Sequence, residues 1–409
     1  MNNGLRLRTV SSLGDIPADG WNACALDMAV KPESELAAEI LELRRGYCLN
    51  PFVTHEFLHS LELSKSIGRR TGWDPQHLVA ENARGEIMGA LPCYLKSHSR
   101  GEYVFDRGWA EAYERAGGSY YPKLQVSVPF TPATGPRLLA RPDQRPEDVR
   151  AALAAGLVTL CQELGTSSIH LTFLPETEAC FLAARGFLLR TDQQFHWSNA
   201  GYSSFEDFLA VLASRKRKTI RRERAEALAN GITIHWLSGK DLTEDIWDTF
   251  FAFYMETGSR KWGRPYLTRE FYSLVGERMA DRILLVMAKR AGRWIAGAIN
   301  FIGSDTLYGR HWGAVEHHPM LHFEVCYYQA IDYAIAHGLA RVEAGAQGEH
   351  KLARGYLPTT TYSAHFIADP ALRRAVADFL ARERAYVAAE GAELATLAPF
   401  RKDLAVGRP

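Results

Sequence analysis

The feature that most constrains this chain is that it repeats itself. Pro51-Phe52-Val53-Thr54-His55-Glu56-Phe57 returns as Pro265-Tyr266-Leu267-Thr268-Arg269-Glu270-Phe271, and Gly89-Ala90 inside one apolar run returns as Gly297-Ala298 inside another. Ala184-Arg185-Gly186-Phe187, with His196-Trp197 nine residues after the Phe, returns as Ala353-Arg354-Gly355-Tyr356 with His365-Phe366 nine residues after the Tyr. Three matches in one order predict a duplicated domain. The length agrees, because 409 residues exceed one ordinary core and suit two domains of about 150 to 200 residues.

The copies differ where chemistry is expected. Laid on the first copy, Glu343, Gln347, Gly348, Glu349, His350 and Lys351 fall opposite Leu174, Glu178, Ala179, Cys180, Phe181 and Leu182. Polar groups cost free energy to bury unpaired, so a segment that merely fills a core has no reason to gather them. The reacting centre is therefore expected in the second half. The division read from the repeat is a degenerate first domain at 1–202, an active second domain at 203–375, and a terminal helix and tail at 376–409.

Composition excludes several classes. A formal charge of +1 gives no global attraction to nucleic acid or membrane, so electrostatic recognition must be local. No run approaches the roughly 18 uncharged apolar residues of a spanning helix, and the N-terminus lacks a signal-like apolar region, so a cytoplasmic protein without an integral membrane segment is expected. The six cysteines have no paired spacing and read as reduced core residues.

Along the first copy the pattern predicts a helix from Thr54 to about Ile67 and a hairpin of 77–80 and 87–95 about the turn 82–85. An irregular Gly-, Pro- and Tyr-rich stretch follows over about 97–145, then helix 147–164, strand 168–174, helix 176–185 and a strand ending near Trp197. The second copy predicts a helix near 204–207, a hairpin of 283–288 and 294–302, strand 306–312, and helix 320–337 closed by Gly338. Strand 340–345, a short helix at 351–354, strand 361–367 and a charged helix after Pro370 complete it. This order makes an α/β fold with mixed sheets and helices on both faces.

The strings Leu307-Tyr308-Gly309-Arg310-His311-Trp312-Gly313, Leu321-His322-Phe323-Glu324-Val325-Cys326-Tyr327-Tyr328 and Gly345-Ala346-Gln347-Gly348-Glu349-His350-Lys351 carry a family resemblance. With the element order, they resemble tandem GNAT-like (acyl-CoA N-acyltransferase) domains of the FemAB-like kind over about residues 50 to 370. The resemblance implies mixed, mostly antiparallel sheets flanked by helices, and a peptidoglycan-linked transferase that moves an aminoacyl or acyl group to an amine. The acceptor is a cell-wall precursor or small amine, and the donor is acyl-CoA or aminoacyl-tRNA, which makes tRNA a candidate partner. Arg310-His311-Trp312-Gly313-Ala314-Val315 reproduces only part of the cofactor-pyrophosphate motif of single-domain relatives, which leaves acyl-CoA in question. A non-catalytic binding protein for a phosphate-bearing ligand or nucleic acid is the alternative.

Candidate roles follow from chemistry. Amine transfer needs a base, an acid for the leaving group and donors for the oxyanion. His311 or Glu343 is expected as base, Tyr308 or Tyr356 as acid, and the amides around Gly345, Gln347 and Gly348 as donors. Arg310, Lys351, Arg354, His350 and Glu324 are expected to hold substrate. The densest charge, Ser214 to Arg224, places Arg217, Arg221 and Arg224 on one helical stripe and Lys218 and Arg222 on the next, a pattern suited to phosphates. His318 and His322 have i, i+4 spacing, but Pro319 starts the helix between them, so no metal is expected. Cys326 after His322 reads as a buried thiol.

Overall fold

A computed structural model describes residues 4–28, 47–142, 145–262, 265–345 and 348–401. Gln347 of the expected oxyanion turn lies outside the described residues. The chain forms two compact units: 1–192 with 361–388, and 193–360 with 389–409. These units do not follow the repeat boundaries at 202 and 375. The end of the second repeat joins the first unit, and the end of the first repeat joins the second.

The first unit contains β1 (Arg6–Val10), the hairpin β2 (His77–Glu81) and β3 (Ile87–Leu91), β4 (Cys93–Lys96), β5 (Lys123–Val126) and β6 (Ser168–Leu174). A strand β7 (Leu188–Ser198) then leads into the second unit, which holds β8 (Thr233–Leu237), β9 (Ile283–Arg290), β10 (Arg293–Ile302), β11 (Thr306–Ala314) and β12 (Arg341–Glu343). A final strand, β13 (Leu357–Ile367), leads back.

Both units have one strand order. In the first, β1, β2 and β3 pair antiparallel, Pro92 separates β3 from β4, β4 pairs antiparallel with β5, β5 is parallel to β6, and β6 is antiparallel to β13. In the second, β8, β9, β10 and β11 pair antiparallel in series, β11 is parallel to β12, and β12 is antiparallel to the end of β7. Proline has no N–H to give a ladder, so Pro92 ends one strand where the second copy keeps β10 continuous. The duplicated α/β architecture is therefore present, with the last strand of each repeat completing the other unit's sheet.

Register corrects the laying of one repeat on the other. His365 lies opposite His170 on β6, and its counterpart His196 lies opposite Glu343 on β12. Glu343 thus corresponds to His170 and not to Leu174. The first copy is polar at that place after all.

Helix Pro146–Glu163 packs Val149, Leu153, Leu157 and Leu160 into a core with Leu78, Met88, Leu91, Leu124, Ile169 and Leu171. Each buried aliphatic side chain contributes about 1.5–3 kcal/mol. On the opposite face of the same sheet, alternation presents Tyr94, Lys96, Lys123, Gln125, Ser168, His170, Ser363 and His365, all buried. The stretch expected to be irregular covers this face. It holds helix Arg107–Arg115 as well as β5, which the pattern did not suggest because its polar residues face inward.

Lys123 there lies 2.6 Å from Glu102 and also bonds Asp106, which accepts from the Tyr120 hydroxyl at 2.8 Å. His170 and His365 share a hydrogen bond of 2.7 Å between their Nδ1 atoms, so one ring donates and the other accepts. Burial, reinforced by Lys123, pushes His170 down to about 3, and burial holds His365 well below the usual histidine range. The thiols of Cys24, Cys93 and Cys161 are buried as expected, whereas Cys180 is exposed.

Two outcomes follow for urea unfolding. Lys123→Met leaves buried Asp106 without its lysine and Glu102 with only the more distant Lys96 at 3.7 Å, and is expected to cost about 3–5 kcal/mol. The histidine pair binds protons in the unfolded chain below about pH 6.5 but resists them when folded, so stability should fall as pH drops from about 6.5 toward 3. His170→Gln together with His365→Gln should flatten that decline.

Candidate functional site

The polar segment expected to carry chemistry is built around a turn. Gly345 at φ +80°, just past β12, and Gly348 at φ +120°, the residue before the 3-10 helix Glu349–Arg354, occupy backbone regions that side chains avoid. Lys351 is 2% exposed and donates from Nζ to the carbonyls of Ala344 at 2.7 Å and Gly345 at 2.8 Å. Burial lowers its ammonium to about 8. It closes the turn from inside, where an accessible substrate anchor was expected.

Beside the turn runs a helix over 321–336 whose middle, Glu324–Tyr328, winds as a π-turn. Such turns insert an extra residue and re-aim side chains. Glu324, fully buried, accepts from Arg224 at 2.8 and 3.1 Å and from Gln329 at 2.7 Å. Tyr327 donates or accepts at His350 Nε2, 3.0 Å away, and Tyr328 donates to Glu223.

Glu223 is buried on the basic helix Ser214–Ala227 and forms one wall of a cleft of about 370 Å³. Arg215, Lys216, Thr219 and Ile220 continue that wall, and Tyr328, Ala353 and Arg354 face them. One oxygen of Glu223, Oε2, accepts both the Tyr328 hydroxyl and Arg354 at 2.9 Å. Its other oxygen, Oε1, has no partner among the described residues. Arg354 also donates to the His350 carbonyl at 2.7 Å and lies 3.4 Å over the Phe323 ring, while its buried Nε has no partner. Burial, with Glu223 as its acceptor, holds the Tyr328 hydroxyl far above the usual phenol range. A carboxylate with one free oxygen, flanked by a fixed cation and a hydroxyl in a concave wall, can accept a proton.

The expected residues divide around this cleft. Arg354 lines it. His350 does not line it but bonds Tyr327 and accepts Arg354 at its carbonyl, and Gly345 and Gly348 lie outside it. Tyr356 is fully buried and gives its hydroxyl to the Tyr327 carbonyl at 3.1 Å, so it supports the wall and has no proton to spare. Tyr308 and Glu343, Cα partners across β11 and β12, are also buried, and Glu343 lies 4.0 Å from His196. Burial, helped by Arg310, lowers His311 to about 3, and its ring packs edge-on against Tyr254 at 4.9 Å, a poor setting for a base. Arg310 is half-buried on the same strand.

The basic stripe is corrected likewise. Arg224 turns inward to Glu324 and Asp332, and Arg221 pairs with Glu206. Arg217 is half-buried, and Lys218 and Arg222 are exposed. None of these five lines the cleft, which is reached by Arg215, Lys216, Thr219 and Glu223, spaced on another face. Sequence reading missed Glu223 and Tyr328. The one available signal was a lone acid inside a basic run.

The partial pyrophosphate motif is accounted for by packing. Residues 311–314 pair with Ala296–Ile299 of β10 while the register shifts at Arg310, and a β-carbon at Gly313 would meet the Phe253 carbonyl oxygen of helix Glu244–Trp262 at 1.9 Å. Glycine there lets a helix approach the sheet. His318 pairs with Glu316, and His322 packs edge-on against Trp312. Among the described residues no helix is long and apolar enough to cross a membrane.

A family model named FemAB-like and described as peptidoglycan biosynthesis/recognition matches residues 12–402. No curated protein sequence matches the chain. Among solved structures, FemX is similar at 12% identity and a TM-score of 0.50, over 81% of this chain and 95% of its own. L-PGS from Bacillus licheniformis is similar at 10% identity and a TM-score of 0.50, over 87% and 99%. A conserved protein of unknown function from Bacteroides thetaiotaomicron gives 11% and 0.51, over 88% and 99%. At these identities the likeness concerns the fold.

Lys351→Met should therefore act first on stability. It leaves two part-buried carbonyls without their donor, at a cost of up to about 1–3 kcal/mol each, and should lower the melting temperature clearly. Tyr356→Phe, which orphans one carbonyl, should cost less. Parallel calorimetric melts of the two variants check the order.

Proposed function

The chain belongs to the FemAB-like family, and from that membership we propose that it is an N-acyltransferase moving an aminoacyl group from aminoacyl-tRNA to an amine of a cell-wall precursor. The observation that carries this reading is the free oxygen of Glu223 in the cleft wall. Deprotonation of the attacking amine requires an acceptor within hydrogen-bond reach, and a carboxylate locked by Tyr328 and Arg354 is oriented before substrate arrives. Glu223 takes the role that His311 or Glu343 was expected to fill.

In the proposed step the amine nitrogen loses a proton to Glu223 and bonds to the ester carbonyl carbon of the donor. The carbonyl oxygen becomes an oxyanion, stabilised by the positive charge of Arg354 nearby. Collapse breaks the bond to the ribose oxygen, which takes the proton back from Glu223, leaving an amide and free tRNA. Acyl-CoA is the less favoured donor because Arg310-His311-Trp312-Gly313-Ala314-Val315 reproduces only part of the cofactor-pyrophosphate motif. Tandem arginines and lysines near the cleft favour a polyphosphate donor.

The test is a single-turnover assay with alanyl-tRNA and a UDP-linked stem peptide, followed by mass spectrometry of the peptide. Glu223→Gln keeps the shape but takes the carboxylate from Arg354, so the melting temperature should fall somewhat, while the rate measured well below it should fall about 10²–10⁴-fold. Tyr328→Phe should lower the rate less. A full rate in Glu223→Gln removes Glu223 as base, and binding without transfer in the unaltered protein turns the reading to a non-catalytic binding protein.

A further inference from the structure

One surface helix of the first unit is apolar on the side where a surface helix is ordinarily polar. Residues 370–388 of helix Pro370–Thr396 belong to that unit, and Leu372, Val376 and Leu380 point inward onto Trp109, Tyr120 and Ile367. The exposed positions between 371 and 388 are five alanines, Phe379, Tyr386 and only three charges, Arg374, Asp378 and Arg382. The other charges are turned sideways. Arg373 and Arg384 donate to the carbonyls of Gly186 and Leu189, and Glu383 accepts from Arg190 at 2.7 and 2.8 Å. Arg190 also donates to the Phe105 carbonyl at 2.8 Å, which holds that residue beside the helix, and Trp109 meets Phe379 edge-on at 6.4 Å. Phe105 is 67% exposed, Tyr386 66% and Phe379 41%. Phe379 and Tyr386 lie seven positions apart, about two helical turns, so both stand on one flank of the helix with Phe105 near them. Exposed aromatic side chains gathered in this way mark an interaction surface.

We propose that this face pairs with the same face of a second copy of the chain, the two helices running antiparallel about a twofold axis. Charge selects this occupant. Asp378 and Arg382 have no ion-pair partner among the described residues, and the Arg382 Nε donates only to the Asp378 carbonyl at 3.4 Å. The two stand one turn apart on the exposed face, opposite in sign. With the axis at the level of Leu380, an antiparallel copy brings its Arg382 to Asp378 and its Asp378 to Arg382, so one contact forms twice, as a twofold interface requires. The same register sets Ala375 opposite Ala385 of the second copy, small residues that let two helices approach closely. It also sets Phe379 near its own counterpart, on the flank where Phe105 stands. A parallel pair would oppose Asp378 to Asp378 and Arg382 to Arg382. An anionic membrane would meet two arginines with an acid between them, a poor electrostatic match. The pairing uses no residue of the cleft and does not depend on the transferase reading.

The measurement is sedimentation equilibrium of the full chain across the micromolar range, where the unaltered protein should form a dimer. Asp378→Arg and, separately, Arg382→Asp set like charges against each other and should each weaken the dimer at least about tenfold. The two changes together exchange the charges, restore the opposition and should bring the dimer back. Phe105→Ser with Tyr386→Ser removes apolar contact without touching a charge and should also weaken it. All four positions are exposed, so the fold should survive, as a melting curve of each variant will verify. A chain that stays monomeric at the highest concentration overturns the proposal. So does a dimer that every variant leaves unchanged, which assigns association to another surface, and so does a charge exchange that fails to restore what the single variants lost. Vesicles of phosphatidylcholine and phosphatidylglycerol are the remaining probe. A monomeric chain that cosediments with them, and ceases to in the Phe105→Ser, Tyr386→Ser variant, gives the face to lipid and overturns the pairing.

Discussion

The antiparallel ladder between Ser168–Leu174 and Leu357–Ile367 is the interaction on which the rest depends. It is made by segments almost two hundred residues apart, and it lets residues from the end of the second repeat finish the sheet of the first unit. The mirror-image arrangement, with the end of Leu188–Ser198 beside Arg341–Glu343, finishes the second. Neither repeat therefore has a full sheet of its own. An unpaired edge beside Ser168–Leu174 would expose a row of backbone donors and acceptors over a buried layer, which is costly in itself and a template for mispairing. The physical unit of this protein is the sheet, and the sheet does not respect the repeat.

That exchange also explains the two histidines. His170 and His365 meet across the ladder and must share a single bridging proton, so the pair is specific for one register as well as one partner. Around them the polar face of the first sheet is held by Lys123 between Glu102 and Asp106. Such a buried ionic layer contributes little net stability compared with an apolar one, but breaking it is expensive because the remaining charges stay buried. It fixes which segment covers the sheet, since only carboxylates at the spacing of Glu102 and Asp106 can answer the lysine.

In the second unit the same principle positions a cleft. Gly345 and Gly348 permit the turn, Lys351 ties it from within, and the π-turn at Glu324–Tyr328 sends one tyrosine toward His350 and the next toward Glu223. Arg354 then links turn and helix by bonding both the His350 carbonyl and Glu223. Most of the polar groups that looked reactive in the sequence are consumed in building this wall. What is left over, one carboxylate oxygen and the cations at the helix start, is what a ligand can meet.

By itself the sequence determined the duplication, the α/β class, the helix caps such as Thr54, and the family, because these depend on local periodicity and on strings that the fold keeps together. It also directed attention to the basic run and to the turn after Arg341–Glu343, where Arg354 does line the cleft. Tertiary structure alone decided which half completes which sheet, that Glu343 answers to His170, that Lys351 faces carbonyls, and that Arg224 is neutralised while Arg215 is not. Glu223 was invisible for the same reason: a lone acid among seven cations reads as a solvated partner until a tyrosine a hundred residues later takes one of its oxygens. Charge pairing, burial and strand exchange join residues distant along the chain, and a one-dimensional pattern carries no record of which distant partner a side chain will meet.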